Sequence, residues 1–245
     1  MRQFRADLHI HTVLSPCGDL AMSPENIVRR AAEQHLDIIG ITDHNSTRQC
    51  QLIGKLAAAQ GILVLAGAEI TSREEVHCLA FMPDWEQLDE LQHYLDQHLG
   101  NIPNDVERFG YQVVVDADEN IVYEEPRLLI QSINQSVEQI EAFVHSLGGL
   151  FIPAHVNRLA FSLISQLGFV PGDLKVDALE LSRQVTAEKF ISQYPYLSSR
   201  QFIRSSDAHF LKNIGEVFTD FHLEEASFQE IKMALMGVDR RKAIL

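Results

Sequence analysis

The chain has 245 residues, 46% of them hydrophobic, and carries 34 acidic residues against 20 Lys and Arg, for a formal charge of −14. That length and apolar content can bury a sizeable core and argue against intrinsic disorder, while the negative field argues against gripping a polyanion through a basic surface. Cys17, Cys50 and Cys78 make neither a disulfide framework nor a Cys-x-x-Cys zinc site; the N-terminus lacks a secretory apolar core, no stretch approaches the roughly 18 apolar residues of a membrane span, and the cytoplasm is the expected location.

Short apolar runs alternating with helical patterns predict βα units around a mostly parallel sheet, and α/β barrels often reach this length as one domain. A first strand is expected over residues 5–11. Ser23-Pro24-Glu25 then reads as an N-cap, a proline at the first helical position and an acid in the first turn. The helix it opens carries Ile27, Val28, Ala31 and Ala32 on one side. A strand over 37–43 follows, then a helix over 46–59 with Gly61 just past its end, then strands over 63–70 and 76–81. Residues 83–135 break the rhythm. Trp85, Leu88, Leu91, Leu95 and Leu99 recur at helical spacing, and 111–115 and 121–124 read as strands joined by a turn-rich 116–120. This segment is expected to be an insertion, helix plus hairpin, in a single domain over residues 1–245; it would serve as a lid, a specificity element, a structural elaboration or a dimer contact. A further helix starts near Ser136, with Val137, Ile140, Val144 and Leu147 on one face, and stops at Gly148-Gly149. Strands are expected over 150–155, 178–182 and 202–207, and the apolar stretch 159–170 reads as a core helix.

The eleven histidines carry most of the functional signal. His9 and His11 end the first strand, and residues i and i+2 point to the same face. His44 ends the second strand, Glu69 the third, His155 the fifth, and Asp207 with His209 the last. His77 begins the fourth strand, yet only residues 70–75 separate it from Glu69. A parallel crossover takes a dozen or more residues, so the fourth strand is expected to return antiparallel, with His77 at the same rim. Asp19, in the loop after the first strand, can reach that rim too. In α/β barrels this carboxyl rim is where chemistry sits. One such residue alone carries little weight; nine converging on one end of the sheet form a pattern. Nine ligand-type side chains exceed the four of a closed structural zinc site and suit two or three divalent ions sharing carboxylates. The imidazole and carboxylate mix is compatible with zinc, manganese or iron. Metal ions side by side can activate a water and clamp a phosphoryl group from both sides.

The ordered set His9-Ile-His11, Thr42-Asp43-His44, Gly67-x-Glu69, His155 and Ser206-Asp207-Ala208-His209 resembles that of the PHP (polymerase and histidinol phosphatase) phosphoesterases, over about residues 7–209. The resemblance implies a distorted seven-stranded, TIM-like β/α barrel and hydrolysis of phosphate esters with up to three metals. It also implies a division of labour: His9, His11, Glu69 and Asp207 on one metal; Glu69, His77 and His155 on the second, with Glu69 bridging; Asp19, His44 and His209 on the third. A carboxylate at Asp19, where some members have histidine, resembles the nucleotide phosphatase and exonuclease branches. The 245 residues hold no polymerase, and the insertion has no motif that names a substrate.

A phosphoryl group also needs cationic partners, for which Arg is suited. Arg158, three residues after His155, looks similar to a phosphate-binding Arg of related phosphatases, and Arg183, after the sixth strand, sits at the same rim. Asn157 and Arg73 are weaker candidates. Asp43 is a candidate to orient a ligand or relay a proton, although strand alternation points it away from His44. Cys17 reads as a buried apolar cysteine, not a ligand, and His35, His93, His98, His145 and His222 as outside the site. The expectation is a metal-dependent phosphoesterase acting on a small phosphate monoester, a nucleotide or metabolite phosphate. Exonuclease action on short nucleic acid ends is the alternative. Amide hydrolysis would call for a strand-end lysine, which is not seen, and a metal-stapled interaction domain would need no open coordination sites. No membrane partner is expected, and the oligomeric state stays open. Three divalent ions against three carboxylates would leave about +3 locally, so an acidic chain can hold a cationic pocket.

Overall fold

Phe4, Ala6, Leu8 and Ile10 alternate along β1 (Arg2–Ile10), whose last five residues are buried on both faces. The computed structural model describes residues 1–183 and 185–245. After β1 come α1 (Pro24–Glu33), β2 (Ile38–Ile41), α2 (Cys50–Ala58), β3 (Leu63–Thr71), β4 (His77–Phe81), α3 (Trp85–His98) and α4 (Val106–Phe109). A hairpin of β5 (Val113–Val115) and β6 (Ile121–Glu124) precedes α5 (Val137–Ser146), β7 (Leu150–Pro153), α6 (Leu163–Leu167), β8 (Leu179–Leu181) and α7 (Ala187–Gln193). β9 (Phe202–Arg204), β10 (Thr219–Leu223), α8 (Phe228–Leu235) and β11 (Lys242–Ile244) complete the chain.

A seven-stranded sheet runs β11-β10-β1-β2-β3-β4-β7, and β8 and β9 form a parallel pair. β1, β2 and β3 are mutually parallel. β4 is antiparallel to both β3 and β7, as the short β3–β4 connection required. The β8–β9 pair fills the remaining gap. Asp177 N donates to Phe151 O (3.0 Å) and Val156 N to Glu180 O (2.9 Å), joining β7 to β8. His11 N donates to Ala208 O (3.0 Å) and Ala208 N to His9 O (3.0 Å), joining the segment after β9 to β1. The circuit β1-β2-β3-β4-β7-β8-β9 is thus a distorted α/β barrel built from the seven expected strands. β10 and β11 were not expected; they extend the sheet outside the circuit, antiparallel on the N-terminal half of β1.

Leu8, Ile38, Leu65, Leu79, Ile152 and Ile203 form one apolar cluster, joined by Ile231, Ala234 and Leu235 of α8. Leu65 and Gly67 lie four and two residues before Glu69 on one face of β3, so this cluster lies beneath the acidic residue. A second cluster packs α1, α2, α3 and α5 against the outer face. Gly40 has no room for a side chain, because a Cβ there would lie 2.4 Å from Leu8 O.

α3 buries Leu88, Leu91 and Leu95 in the outer cluster. The hairpin rests on the loop after β1 through Val13, Val113 and Val115, and the Gln49 side chain both donates to Val115 O (3.0 Å) and accepts from Val115 N (2.9 Å). The stretch 159–170 departs from the expected core helix: only α6 is helical, and Leu159 is 99% exposed. Its Ser162 N-cap starts that short helix four residues too late to bury the leading apolar residues. Among the described residues no helix is long and apolar enough to cross a membrane.

Candidate metal centre

Glu69, on β3, is the hub. Its Oε1 lies 2.9 Å from His77 Nδ1, 3.2 Å from His155 Nε2 and 3.4 Å from His9 Nε2. Its Oε2 lies 3.2 Å from His44 Nδ1 and 3.3 Å from His11 Nε2. His77 reaches it because the antiparallel register sets His77 opposite Thr71. A register shift between Asp7 and Ile10 re-aims the end of β1, a common use of a bulge beside a site. Asp207 Oδ1 stands 3.4 Å from both His9 Nε2 and His11 Nε2, and the His209 ring stacks on that of His11 with centroids 4.1 Å apart. His155 and Asp207 hold positive φ of 32° and 51°, strained values for non-glycine residues that cluster at functional sites.

Five imidazoles around one buried carboxylate exceed what that carboxylate can accept. His9 Nε2 and His11 Nε2 face each other at 3.2 Å, a repulsive contact unless a proton or cation lies between. His44 Nδ1 and His155 Nδ1 are buried without hydrogen-bond partners among the described residues. The donor set therefore fits divalent cations. Three overlapping groups have ligand atoms close enough to share an ion: His9-His11-Glu69, His44-Glu69-His77, and His11-Cys17-His44-His209.

Burial raises the Glu69 carboxyl, but His77, His9 and His44 overcome that and hold it well below the usual range. Asp207 is likewise held low by His9 and His11 against burial. Burial opposes the His11 proton, yet Asp207 and Glu69 push it up to about 9. Burial and the His11 charge push His209 down to about 4.

Behind the hub lies a layer of supporting residues. His11 Nδ1 lies 2.9 Å from Ser15 Oγ, and Ser15 Oγ donates to Asp43 Oδ1 at 2.7 Å. Asp43 also accepts from Thr12 N and Thr12 Oγ1, each at 2.7 Å. Asp43 is 1% exposed and its carboxylate is spent on the turn after β1. Asp43 thus reaches His11 only through Ser15, the arrangement of a residue that orients a ligand from behind. Asp7, buried, accepts from Ser206 N and Gly215 N at 2.9 Å each, and burial pushes it up to about 6.

Glu180 was missed in the sequence. Its oxygens lie 3.0 and 3.2 Å from His9 Nδ1, and it accepts from His155 N at 3.0 Å. The available signal was an acid inside the apolar run Ala178-Leu179-Glu180-Leu181, one face of which must enter the barrel.

Of the nine expected ligands the structure gathers eight and leaves Asp19 out. Asp19 is exposed, and its Oδ1 accepts from Ala21 N at 2.8 Å within its own turn. Cys17, read as buried and apolar, is exposed and belongs to the group with His11, His44 and His209. The turn of 15–18, closed by Gly18 N donating to Ser15 O (2.8 Å), puts it there.

A cavity of about 440 Å³ opens on the cluster, lined by Cys17, His155, Glu180, Asp207 and His209, with Arg158, Arg183, Phe210 and Asn213 around them. Arg158 Nη2 contacts Asp207 Oδ2 at 2.5 Å, and Arg183 Nη1 lies 3.3 Å from Glu216 Oε2. Asn157 instead pairs with Ser182, its Nδ2 donating to Ser182 Oγ and its Oδ1 accepting from Ser182 N, each at 2.8 Å. Arg73 is exposed beside Glu74.

The sequence matches the family model described as "PHP domain" over residues 7–157 and that described as "PHP-associated" over residues 198–236. The Bacillus subtilis protein YqxK is 26% identical across all of this chain, which spans 65% of that protein. The Methanocaldococcus jannaschii protein MJ1587 is 36% identical over 78 residues, 29% of this chain and 46% of its own. Among solved structures, the lesion-specific endonuclease PfuEndoQ of Pyrococcus furiosus superposes with a TM-score of 0.77 at 22% identity, covering 100% of this chain and 58% of its own. A Bifidobacterium adolescentis protein described as a metal-dependent phosphoesterase superposes with a TM-score of 0.64 at 18% identity, covering 95% and 96%. These superpositions speak for the fold. The chain spans less than two thirds of YqxK and of the endonuclease.

Proposed function

The chain belongs to the PHP domain family of metal-dependent phosphoesterases, and on that premise we propose that it hydrolyses a small phosphate monoester, of a nucleotide or a metabolite, at the Glu69 cluster. One observation carries this reading: the cluster floors a cavity of about 440 Å³ whose wall carries Arg158 and Arg183. That volume falls in the range of small-ligand sites. His9, His11, Glu69 and Asp207 would hold one cation, and Glu69, His77 and His155 a second. A third would take His44 and His209; the choice among zinc, manganese and iron is open. When bound, the cations supply Lewis-acid activation of water and neutralise the phosphoryl oxygens.

The chain's own residues do the rest. Arg158 and Arg183 orient the phosphoryl group through charge-assisted hydrogen bonds. Glu180, Ser15 and Asp43 keep His9 and His11 aimed inward, so no reorganisation is needed at the moment of reaction. The formal charge of −14 repels long polyanions, while a small anion can enter the locally cationic cleft.

The test is phosphate release by the metal-reconstituted protein from nucleotides, sugar phosphates and short oligonucleotides. Release from monoesters is expected. It should be abolished by His9→Ala with His209→Ala and slowed roughly tenfold in kcat/KM by Arg158→Ala, the loss of one charged hydrogen bond. Turnover retained in the double variant, or shortening of oligonucleotides without monoester release, would overturn it. The second outcome would establish a nuclease. Two observations favour that reading: the superposition with the endonuclease across the whole chain, and exposed Phe161 and Phe210, aromatic faces on which bases can stack. Phe161 lies over the His77 ring at 4.8 Å and Phe210 lines the cavity.

A further inference from the structure

The geometry points to a thiolate-bearing cation site at the edge of the cluster, formed by Cys17, His44 and His209 against His11, with Cys17 in the place that sequence alone would give to Asp19. The ligand atoms of these four residues lie within 4.8 Å of one another. The loop that presents Cys17 is built, not incidental. Ser15 N donates to Thr12 O (3.1 Å), Gly18 N to Ser15 O (2.8 Å), Asp19 N to His209 O (2.9 Å) and Met22 N to Asp19 O (2.9 Å). Gly18 allows the turn because a Cβ there would meet Thr12 O at 2.3 Å. The bond from Asp19 N to His209 O ties the cysteine loop to the strand end that carries His209.

An observation independent of the cysteine marks the place as one for a cation. His44 is 5% exposed, and its Nδ1 is buried with no hydrogen-bond partner among the described residues. It stands 3.2 Å from Glu69 Oε2 without hydrogen-bonding geometry. The Asp19 carboxylate is occupied by Ala21 N and faces solvent. The ligands that remain, one sulfur and two or three imidazoles, are those of a borderline-soft ion. Thiolate selects zinc over the hard, oxygen-seeking magnesium and manganese ions, and a coordinated thiol is held deprotonated. This position would therefore take Zn²⁺ even where the rest of the cluster holds another metal.

The assignment rests on the metal-dependent reading of the site, and Co²⁺ separates the two. Co²⁺ bound through sulfur gives a near-ultraviolet charge-transfer band that nitrogen and oxygen ligation lacks. The purified full chain, stripped and titrated with Co²⁺, should show that band; Asp19→Asn should keep it, and Cys17→Ser should lose it together with one bound ion per chain. A second readout needs no variant. Cys50 and Cys78 are buried and Cys17 is exposed, so iodoacetamide labelling reports on Cys17; Zn²⁺ should slow it at least tenfold and a chelator should restore it. Full Co²⁺ binding without the band, or labelling indifferent to Zn²⁺, would overturn the thiolate site alone. A chain that binds no Co²⁺ at all would overturn the metal-dependent reading with it.

Discussion

Glu180 meets His9 at Nδ1, the ring nitrogen opposite the one that faces Glu69 and Asp207, and so bears on how His9 meets those partners. With Glu180 oxygens at 3.0 and 3.2 Å, His9 Nδ1 is committed as a donor to Glu180, and Nε2 is the atom that faces Glu69 and Asp207. A carboxylate behind a ligating imidazole fixes its tautomer and raises its basicity. Glu180 also holds the backbone N–H of His155, where φ is 32°. Glu180→Gln keeps the size and removes the charge. Metal affinity should fall roughly 10- to 100-fold, read as metal retained after dialysis against a graded chelator, while circular dichroism stays that of the parent. Unchanged retention would show that Glu180 serves only the backbone. The eight side chains that the structure gathers were legible because residue type and strand-end position are local properties. Glu180 was not, since its partners lie 171 and 25 residues away. Cys17 and Asp19 exchanged roles for a related reason: a turn decides which of two nearby side chains faces inward, and composition does not report turn geometry. Alternation did point Asp43 away from His44, and the structure shows what it meets there, Thr12 and Ser15.

Between elements, the join of β7 to β8 is held from outside the barrel by α5. His145 Nε2 lies 2.9 Å from Asp177 Oδ2 and its Nδ1 2.5 Å from Glu141 Oε1. The same Asp177 oxygen accepts from Phe151 N at 2.7 Å. The hydrogen bond to Asp177, ahead of the opposing burial, raises the His145 pKa above its ordinary value of 6.5. A histidine raised on folding contributes stability that is fully present below about pH 6.5 and lost as pH rises through the folded-state value. His145 is partly exposed, so screening limits the gain to about 1 kcal/mol or less. His145→Ala should therefore lower urea-unfolding stability at pH 6 and approach the parent at pH 9; a loss larger at pH 9 would contradict the clamp. Elements whose limits are set nearby were the readable ones: the Ser23-Pro24 start of α1, the Ser136 capping box of α5, and β4, whose direction followed from a connection too short to cross over. β10 shows a clean buried-intermediate alternation that helical neighbours obscured. β11 is three residues long and exists through its pairing with β10. The apolar stretch 159–170 misled because Leu159 and Phe161 stay in solvent, while the part that does reach the core, Leu163 and Val170, is only partly helical.

At the scale of the whole molecule, an acidic chain gathers six imidazoles at one end of its barrel, and in the absence of cations protons take their place. His11, pushed up to about 9 by Asp207 and Glu69 against burial, holds a proton at neutral pH where a cation would sit. Cation binding must expel it, so affinity rises with pH by up to tenfold per unit for each proton released, until His11 itself titrates. His209, already down at about 4, is neutral throughout this range and adds no such cost. Because a cation binds the folded barrel and finds no assembled site in the unfolded chain, it stabilises by RT ln(1 + [L]/Kd), about 2.7 kcal/mol at a hundredfold excess over Kd. For a chain of this size that is an upward Tm shift of roughly 5–10 °C. Thermal unfolding at a fixed Mn²⁺ or Zn²⁺ concentration should show a clearly larger shift at pH 8 than at pH 6, and His11→Ala should reduce the difference without erasing it, because Glu180, Glu69 and Asp207 also hold the His9 pKa well above its ordinary value against burial. A shift that is equal at both pH values, or larger at pH 6, would mean that cations bind elsewhere and that the imidazole cluster is a proton-stabilised core.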